Sequence, residues 1–277
     1  MAEAESQFWN GVADRWAHYA DSVDRQAAAA TEVLLDAAAV GPGSSVLDLG
    51  CGPGGAGLAA ARRTRASGRV VFADVAPAML DIVSSRCGGL PGTSVMTADL
   101  GAVAAPDGSF DAVVCRYALM FAEDPVVAVG EAVRVLRPSG RYAALTFAEP
   151  KRNRWQACVL DAVSDVLAVP VPPPPALGPF SLTDPAVLAA ALRRGGLIDV
   201  HVEEVASPMI RRSLAAWWEE SSQLAGPIPL ILAGLDPAVR DAVRQRALEY
   251  AGKAASVDET GAVHFEGFDL LGWGRRP

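Results

Sequence analysis

Three histidines, two lysines and four cysteines in 277 residues leave little material for several kinds of chemistry. His18, His201 and His264 lie far apart in the chain, and Cys51, Cys87, Cys115 and Cys158 show no CxxC spacing. Neither a zinc framework nor a disulfide scaffold can be written from that order, so no metal site is expected and the thiols fit a reducing cytoplasm. Positive charge is also short: 24 basic against 32 acidic residues give a net charge of −8, without a long basic block. Affinity for nucleic acid or an anionic membrane surface rests on cationic neutralisation of phosphates, so neither is expected as the main partner. Long apolar runs are missing too. Leu224 to Leu235 is interrupted by Gly and Pro, and residues 1–10 lack a basic stretch followed by an apolar one, so neither a membrane span nor a secretory leader is expected. What is plentiful is small and apolar: 51% hydrophobic residues, 26 glycines and a mean hydropathy of +0.23. Such a chain can bury a core, as one large domain or one domain with an elaboration, and is not disordered.

Periodicity divides the chain. Phe8, Trp9, Val12, Trp16 and Tyr19 recur at helical spacing and Gln26 to Val40 is rich in Ala, so residues 7–40 are expected to be helical up to the stop at Gly41-Pro42-Gly43. Short apolar runs at 45–50, 69–73, 94–96, 110–115 and 141–147 then alternate with helical runs at 56–63 and 79–85. A further helix follows the Asp124-Pro125 cap, with Val126, Val129, Val133 and Leu136 on one face. Strand and helix alternating at this rhythm predict βαβ units around a parallel sheet, an α/β fold. After residue 150 the rhythm changes. Residues 169–175 hold five prolines and are expected to form an extended connector. Thr183-Asp-Pro starts a helix reaching about Arg194, Asp199 to Val205 alternates as a strand, residues 212–253 are helical with a break at Gly226-Pro-Ile-Pro, and Val263 to Trp273 reads as a last strand.

Between the first strand and the helix after it stands Asp48-Leu-Gly-Cys-Gly-Pro-Gly-Gly55. Gly50, Gly52 and Gly55 satisfy GxGxxG, while Asp48 with Gly50, Gly52 and Gly54 satisfies DxGxGxG. Both patterns let backbone approach a ligand and offer free amides at a helix start to a carboxylate or phosphate. Asp74 ends the second strand, where a carboxylate can accept hydrogen bonds from both ribose hydroxyls of a nucleotide.

Five strings in order carry more. Val46-Leu-Asp-Leu-Gly-Cys-Gly-Pro-Gly, Asp74-Val-Ala-Pro-Ala-Met-Leu, Ala98-Asp-Leu, Phe110-Asp-Ala-Val-Val-Cys-Arg-Tyr and Arg134-Val-Leu-Arg-Pro-Ser-Gly-Arg-Tyr resemble the class I S-adenosylmethionine-dependent methyltransferases. The likeness is to the small-molecule branch typified by the ubiquinone/menaquinone-biosynthesis methyltransferases, close over residues 43–148 and loose over 181–205. It implies a Rossmann-like α/β fold with a seven-stranded sheet, mostly parallel, the last strand running antiparallel between the fifth and sixth. Residues 1–40 would form a helical N-terminal cover, 41–205 and 262–277 the cofactor-binding core, and 151–180 and 206–261 helical or extended insertions capping the substrate. The second insertion stands where the family often has a hairpin. The implied cofactor is S-adenosyl-L-methionine, leaving as S-adenosyl-L-homocysteine. By the same resemblance, Gly50, Cys51 and Gly52 would line the methionine moiety, with Asp48 also among the cofactor-binding residues, Asp74 would hold the ribose, and Val75 and Met79 would flank the adenine. Asp99 would accept from the adenine amino group, the Leu100 amide would meet a ring nitrogen, and Arg116 would stand by the methionine part and the methyl group.

Methyl transfer from a sulfonium needs alignment and exclusion of water rather than an enzyme nucleophile, although some acceptors need a base. His18, on the cover helices, is the candidate base. Trp9, Trp16, Tyr19, Tyr117, Met120, Trp217 and Trp218 are candidate substrate contacts, the first three equally readable as core packing. Trp217 and Trp218 are adjacent and cannot face one way on a helix, so at least one is expected to meet the pocket or a partner subunit in a homodimer. No Asn-Pro-Pro-Tyr string follows the fourth strand, where amino-methylating nucleic-acid enzymes carry it, and the paired glutamates of protein-arginine enzymes are missing. A small, partly apolar metabolite methylated on O, N or C is the expected acceptor. Arginine outnumbers lysine 22 to 2, as in high-GC bacteria, where such enzymes tailor natural products in secondary metabolism. The alternatives are non-methylating chemistry such as cyclisation on the same cofactor, a nicotinamide oxidoreductase, and a non-catalytic cofactor-binding subunit.

Overall fold

The computed structural model describes residues 2–171, 178–224 and 228–277. Two helices, α1 (Ala2–Gln26) and α2 (Ala28–Ala37), precede an alternating series: β1 (Ser45–Leu49), α3 (Gly55–Thr64), β2 (Arg69–Asp74), α4 (Pro77–Cys87), β3 (Thr93–Thr97), β4 (Phe110–Arg116), α5 (Pro125–Val135) and β5 (Leu136–Phe147). Then come α6 (Arg154–Leu167), α7 (Pro185–Arg194), β6 (Ile198–Ala206), β7 (Met209–Arg211), α8 (Leu214–Leu224), α9 (Ile228–Ala233), α10 (Pro237–Ala254), β8 (Ser256–Val257), β9 (Val263–Phe265) and β10 (Phe268–Arg275).

Seven strands form one sheet in the order β3-β2-β1-β4-β5-β10-β6. The pairs β1–β2, β2–β3, β1–β4 and β4–β5 are parallel, and β10 runs antiparallel between β5 and β6. The expected seven-stranded Rossmann-like sheet is therefore present. All five residues of β1 are buried, as a central strand covered on both faces must be. Local chemistry starts the helices: the Asp124 carboxylate accepts from the Val126 amide at 2.8 Å ahead of Pro125, and Asp184 does the same with Ala186 at 2.7 Å ahead of Pro185. Leu34, Leu35, Val46, Ala60, Phe72 and Val83 fill the layer between α2, α3, α4 and one sheet face; Val113, Val129, Tyr142, Leu188 and Leu192 fill the layer on the other. A third core, built on Trp217, Val243, Ala247 and Phe265, joins α6, α8 and α10 to a small sheet ordered β7-β9-β8. Among the described residues no helix is long and apolar enough to cross a membrane, and all four cysteines are free and buried.

The single last strand expected at 263–273 is two. β9 joins the small sheet and β10 the large one, with the chain turning at Gly267, whose carbonyl accepts from Ser207 N at 2.7 Å. A Cβ at Gly267 would lie 2.1 Å from the Ser207 carbonyl oxygen, so only glycine lets the two segments cross so closely. The helical run at 212–253 is three helices, the second interruption falling just before Pro237, which stands at the start of α10. Most of the proline-rich connector, 172–177, lies outside the described residues, as does the Gly226-Pro227 part of the expected break. Helix α6 had no periodic limit in the sequence reading and contributes much of the third core.

Candidate active site

The chain leaves β1 toward β2 and β3 on one side and returns through β4 and β5 on the other. The sheet order therefore reverses between β1 and β4, and the loops at their carboxyl ends open a crevice there. The glycine turn floors it. Gly50, Gly52 and Gly54 all have positive φ (70°, 51° and 89°), and the Gly50 and Cys51 amides both donate to the Ala73 carbonyl at the end of β2. A Cβ on Gly50 would lie 2.4 Å from the Ala118 Cβ, whereas one on Gly52 would meet no atom within 4 Å. Gly50 is thus held to glycine by packing, and Gly52 borders open space.

Two carboxylates order the turn, and a third stands at the end of the crevice. Asp48 Oδ2 accepts from the Gly57 amide at 2.7 Å and fixes α3 on β1; complete burial pushes its carboxyl up to about 7, against the opposing pull of Arg116 and the Gly57 N–H. Asp74 accepts from Gly52 N at 2.8 Å with one oxygen and from Ala76 N at 2.9 Å with the other, tying the glycine turn to the start of α4. Burial raises its proton affinity as well, against these amide bonds. Asp99 Oδ1 accepts from Gly101 N at 2.8 Å. Val75, Met79 and Leu100 line the crevice between Asp74 and Asp99.

Helix α1 roofs this end. Ser6 donates to the Val75 carbonyl at 2.9 Å, Asn10 accepts from Ala78 N at 2.9 Å, and Trp9 and Trp16 pack over Ala76 and Met79. Trp9, Trp16 and Val23 line the crevice; seven apart, they form one stripe along a helix of 3.6 residues per turn. Glu5 joins them, its carboxyl raised by burial and by Asp99. Deeper in, the Arg116 guanidinium donates to Asp24 Oδ1 of α1 at 2.9 Å and to Thr31 Oγ1 of α2 at 2.8 Å. Asp24 also receives Arg86 at 2.6 Å, and Arg86 donates to the Pro53 carbonyl, so α1 is clasped to the glycine turn from both sides.

Beyond Arg116 the cavity continues between β4, β5, α6, β7 and α8, lined by Tyr117, Met120, Phe147, Trp155, Met209 and Leu224. Here the expectations divide. Asp48, Gly50, Cys51, Gly52, Asp74, Val75, Met79, Asp99, Leu100, Arg116, Trp9, Trp16, Tyr117 and Met120 all line one continuous cavity. His18 does not: two residues past Trp16 it is rotated about 200° around α1, and its exposed ring packs edge-on against Tyr19 outside the cavity. Tyr19 turns toward α8, its hydroxyl donating to the Glu219 carbonyl. Nor do Trp217 and Trp218 reach the cavity. Both are buried in the third core, Trp217 against Phe265 with its indole N–H donated to the Trp155 carbonyl at 2.8 Å. Adjacent tryptophans both find interior because α8 is covered on two sides. His201 stacks on Trp273 and His264 pairs with Asp258, both outside the cavity. The sequence reading missed Glu5, Asp24, Phe147, Trp155, Gln156, Ser207 and Asp269, none of which stands in a local motif.

Residues 46–140 match the family model described as a methyltransferase domain. The chain is 34% identical over 179 residues to nocamycin O-methyltransferase of Saccharothrix syringae, covering 60% of this chain and 64% of that protein. It is 30% identical over 112 residues to demethylmenaquinone methyltransferase of Symbiobacterium thermophilum, covering 39% and 45%. The chain spans between 36% and 64% of the length of the first curated relatives it matches. In overall fold it is similar to the YcgJ protein of Bacillus subtilis (TM-score 0.58, 18% identity, 89% of this chain and 97% of that one). It is similar also to the [4+2]-cyclase SpnF (TM-score 0.56, 20% identity, 92% and 80%). Residues 46–140 thus carry a methyltransferase domain, set in the seven-stranded fold of these solved structures.

Proposed function

We propose that this chain transfers the methyl group of S-adenosylmethionine to a small, partly apolar acceptor. The observation that carries the reading is a single cavity running from an acidic, glycine-floored end into an aromatic chamber closed by α1, α6 and α8. The residues fit an adenosyl sulfonium compound: the space over Gly52 is open, Asp74 keeps lone pairs for two hydroxyls, Asp99 can accept from an amino group, and Val75, Met79 and Leu100 offer apolar faces to a base. Gly50, Cys51 and Gly52 would hold the methionine portion with Arg116 beside it. When bound, the cofactor supplies an electrophilic methyl group. The chain's part is to roof the adenosine end with Trp9 and Trp16, to keep water out with Phe147 and Trp155, and to set the acceptor in line.

The likeness to nocamycin O-methyltransferase supports a natural-product acceptor. The cyclase neighbour favours a second reading, in which the same cofactor cleft serves a reaction without methyl transfer. The antiparallel strand between β5 and β6 argues against a nicotinamide oxidoreductase, whose six-stranded order 3-2-1-4-5-6 is parallel throughout. Titration calorimetry with S-adenosylhomocysteine, with NADH as control, tests the cofactor assignment: saturable binding of the former alone is expected, and its absence at millimolar ligand would overturn the reading. Methyl-labelled cofactor offered with candidate acceptors then separates transfer from scaffolded chemistry.

A further inference from the structure

Past Arg116 the chamber contains a polar group that folding alone does not account for. Tyr117, the residue after β4, has φ +57°, a region that L side chains rarely adopt and that costs of the order of 1–3 kcal/mol. In this conformation its ring stacks on Phe147 at 4.8 Å, and its hydroxyl donates to Asp269 Oδ2 at 2.6 Å. Asp269 is 1% exposed and sits on β10 opposite Phe147 in the strand ladder, directly behind the chamber wall. The Ser207 hydroxyl is close enough to interact with both Tyr117 and Asp269, and Tyr117 and Ser207 line the cavity. The Tyr117 oxygen has spent its one proton on Asp269, and its lone pairs are left to accept. A second observation lies on α6. Gln156, 5% exposed and on the same cavity wall, has a buried side-chain oxygen with no hydrogen-bond partner among the described residues. A buried amide left unmatched costs free energy unless a ligand completes it.

We propose that Tyr117, backed by Asp269 and Ser207, receives the proton of a hydroxyl on the acceptor, so that the chamber takes hydroxyl-bearing, aromatic or enolic molecules and methylates oxygen. This deepens the cofactor reading above and rests on it. As the acceptor oxygen bonds to the methyl carbon, the carbon–sulfur bond breaks and leaves its electron pair on sulfur. The acceptor's proton moves to the Tyr117 oxygen while the Tyr117 proton passes to the Asp269 carboxylate. One positive charge is lost at sulfur and one negative charge at Asp269. Tyr117 is the catalytic residue; Asp269, which reaches the acceptor only through it, is a positioning residue that stores the proton. Gln156 hydrogen-bonds a polar substituent of the same molecule.

The surroundings suit this task. Burial pushes the Asp269 carboxyl up to about 7, partly offset by the hydrogen bond from Tyr117, by the nearby Ser207 hydroxyl and by the charge of Arg116, the groups that face it. A proton store near neutrality can both take and return a proton. Burial and the neighbouring Asp269 charge hold the Tyr117 hydroxyl well above its usual range, so it passes a proton on without resting as a phenolate.

The test uses the full chain saturated with S-adenosylhomocysteine and compares the binding of 2-naphthol with that of its methyl ether, 2-methoxynaphthalene, by fluorescence. 2-Naphthol stays neutral in water across the neutral range, so any pH dependence belongs to the protein. We expect the hydroxyl form to bind about tenfold more tightly above neutral pH. That preference should fall as pH drops through about 7 and Asp269 takes up a proton. Asp269→Asn and Tyr117→Phe should each bring the two affinities to within about twofold and flatten the pH profile, with Ser207→Ala losing part of the preference. Because a buried substitution at 269 can disturb folding, Tyr117→Phe and the wild-type pH profile stand independently, and S-adenosylhomocysteine affinity reports an intact cofactor end. Equal affinity for the two probes, a preference independent of pH, or its survival in Tyr117→Phe would overturn the proposal while leaving the cofactor reading in place. Failure of the wild-type chain to bind S-adenosylhomocysteine would remove both.

Discussion

The two ends of the cavity are built differently. The end proposed for adenosine comes from consecutive turns at the strand ends: Asp48 to Gly55, Asp74 to Met79 and Asp99 to Leu100 each supply neighbouring residues from a few positions of chain. The acceptor end takes single residues from distant elements, Tyr117 after β4, Phe147 on β5, Gln156 on α6, Ser207 after β6 and Met209 on β7. One end is a set of local backbone conformations, and the other exists only once the sheet has its final order. The lesson is that cofactor affinity should depend on a few turn residues, whereas acceptor recognition should depend on the integrity of the cap.

The sharpest break in that comparison is Trp217→Ala. The indole is fully buried against Phe265 and donates to the Trp155 carbonyl, so truncation leaves a cavity and removes a bond between α8 and α6. A loss of about 3–5 kcal/mol in urea unfolding is expected, with S-adenosylhomocysteine affinity changed less than about twofold in the folded protein. A large loss of cofactor affinity with stability intact would mean that the two ends are not separable. Asp74→Ala probes the other end. On the placement proposed above it removes the acceptor for ribose hydroxyls, and it should weaken S-adenosylhomocysteine binding by about 1–3 kcal/mol in titration calorimetry. The same carboxylate ties Gly52 N and Ala76 N, so the melting temperature should drop as well. Asp74→Asn keeps one carbonyl acceptor and should retain more of the fold than of the affinity.

How much of this was legible follows the same division. Gly50 and Gly52 announce themselves because left-handed backbone at a strand end favours one residue type, and Asp74 because an acidic group closing the second strand serves a stereotyped ligand. The strand rhythm from Ser45 to Phe147 is read from period and turn residues, and the structure follows it closely. Asp269 has no such signal. Its role depends on β10 inserting between β5 and β6, which sets it against Phe147 and within reach of Tyr117. The split at Gly267 left only a weak mark, a change of phase in the apolar alternation between Phe265 and Phe268, and it is the approach of Ser207 that forces two strands. Trp217 and Trp218 misled for a related reason. A helix enclosed by α6, α10 and the small sheet has no solvent face at those positions, and adjacency in sequence cannot report that.

The smallest expected effect is the most direct check on the placement of α1. Residues 9, 16 and 23 of this helix face the cavity, and a base on the same helix would have to share their stripe, at a separation of three, four or seven residues. His18 stands two residues from Trp16, on the far side, exposed and touching only Tyr19 among the aromatic rings. His18→Ala should therefore change unfolding free energy by no more than about 0.5 kcal/mol. The affinities for S-adenosylhomocysteine and 2-naphthol should match the wild type at every pH, in contrast to Tyr117→Phe. A tenfold or greater weakening of either ligand in the alanine variant would require α1 to turn about its axis when the cavity fills. That rotation would carry Trp9 and Trp16 off Met79, and the glycine turn would lose its roof.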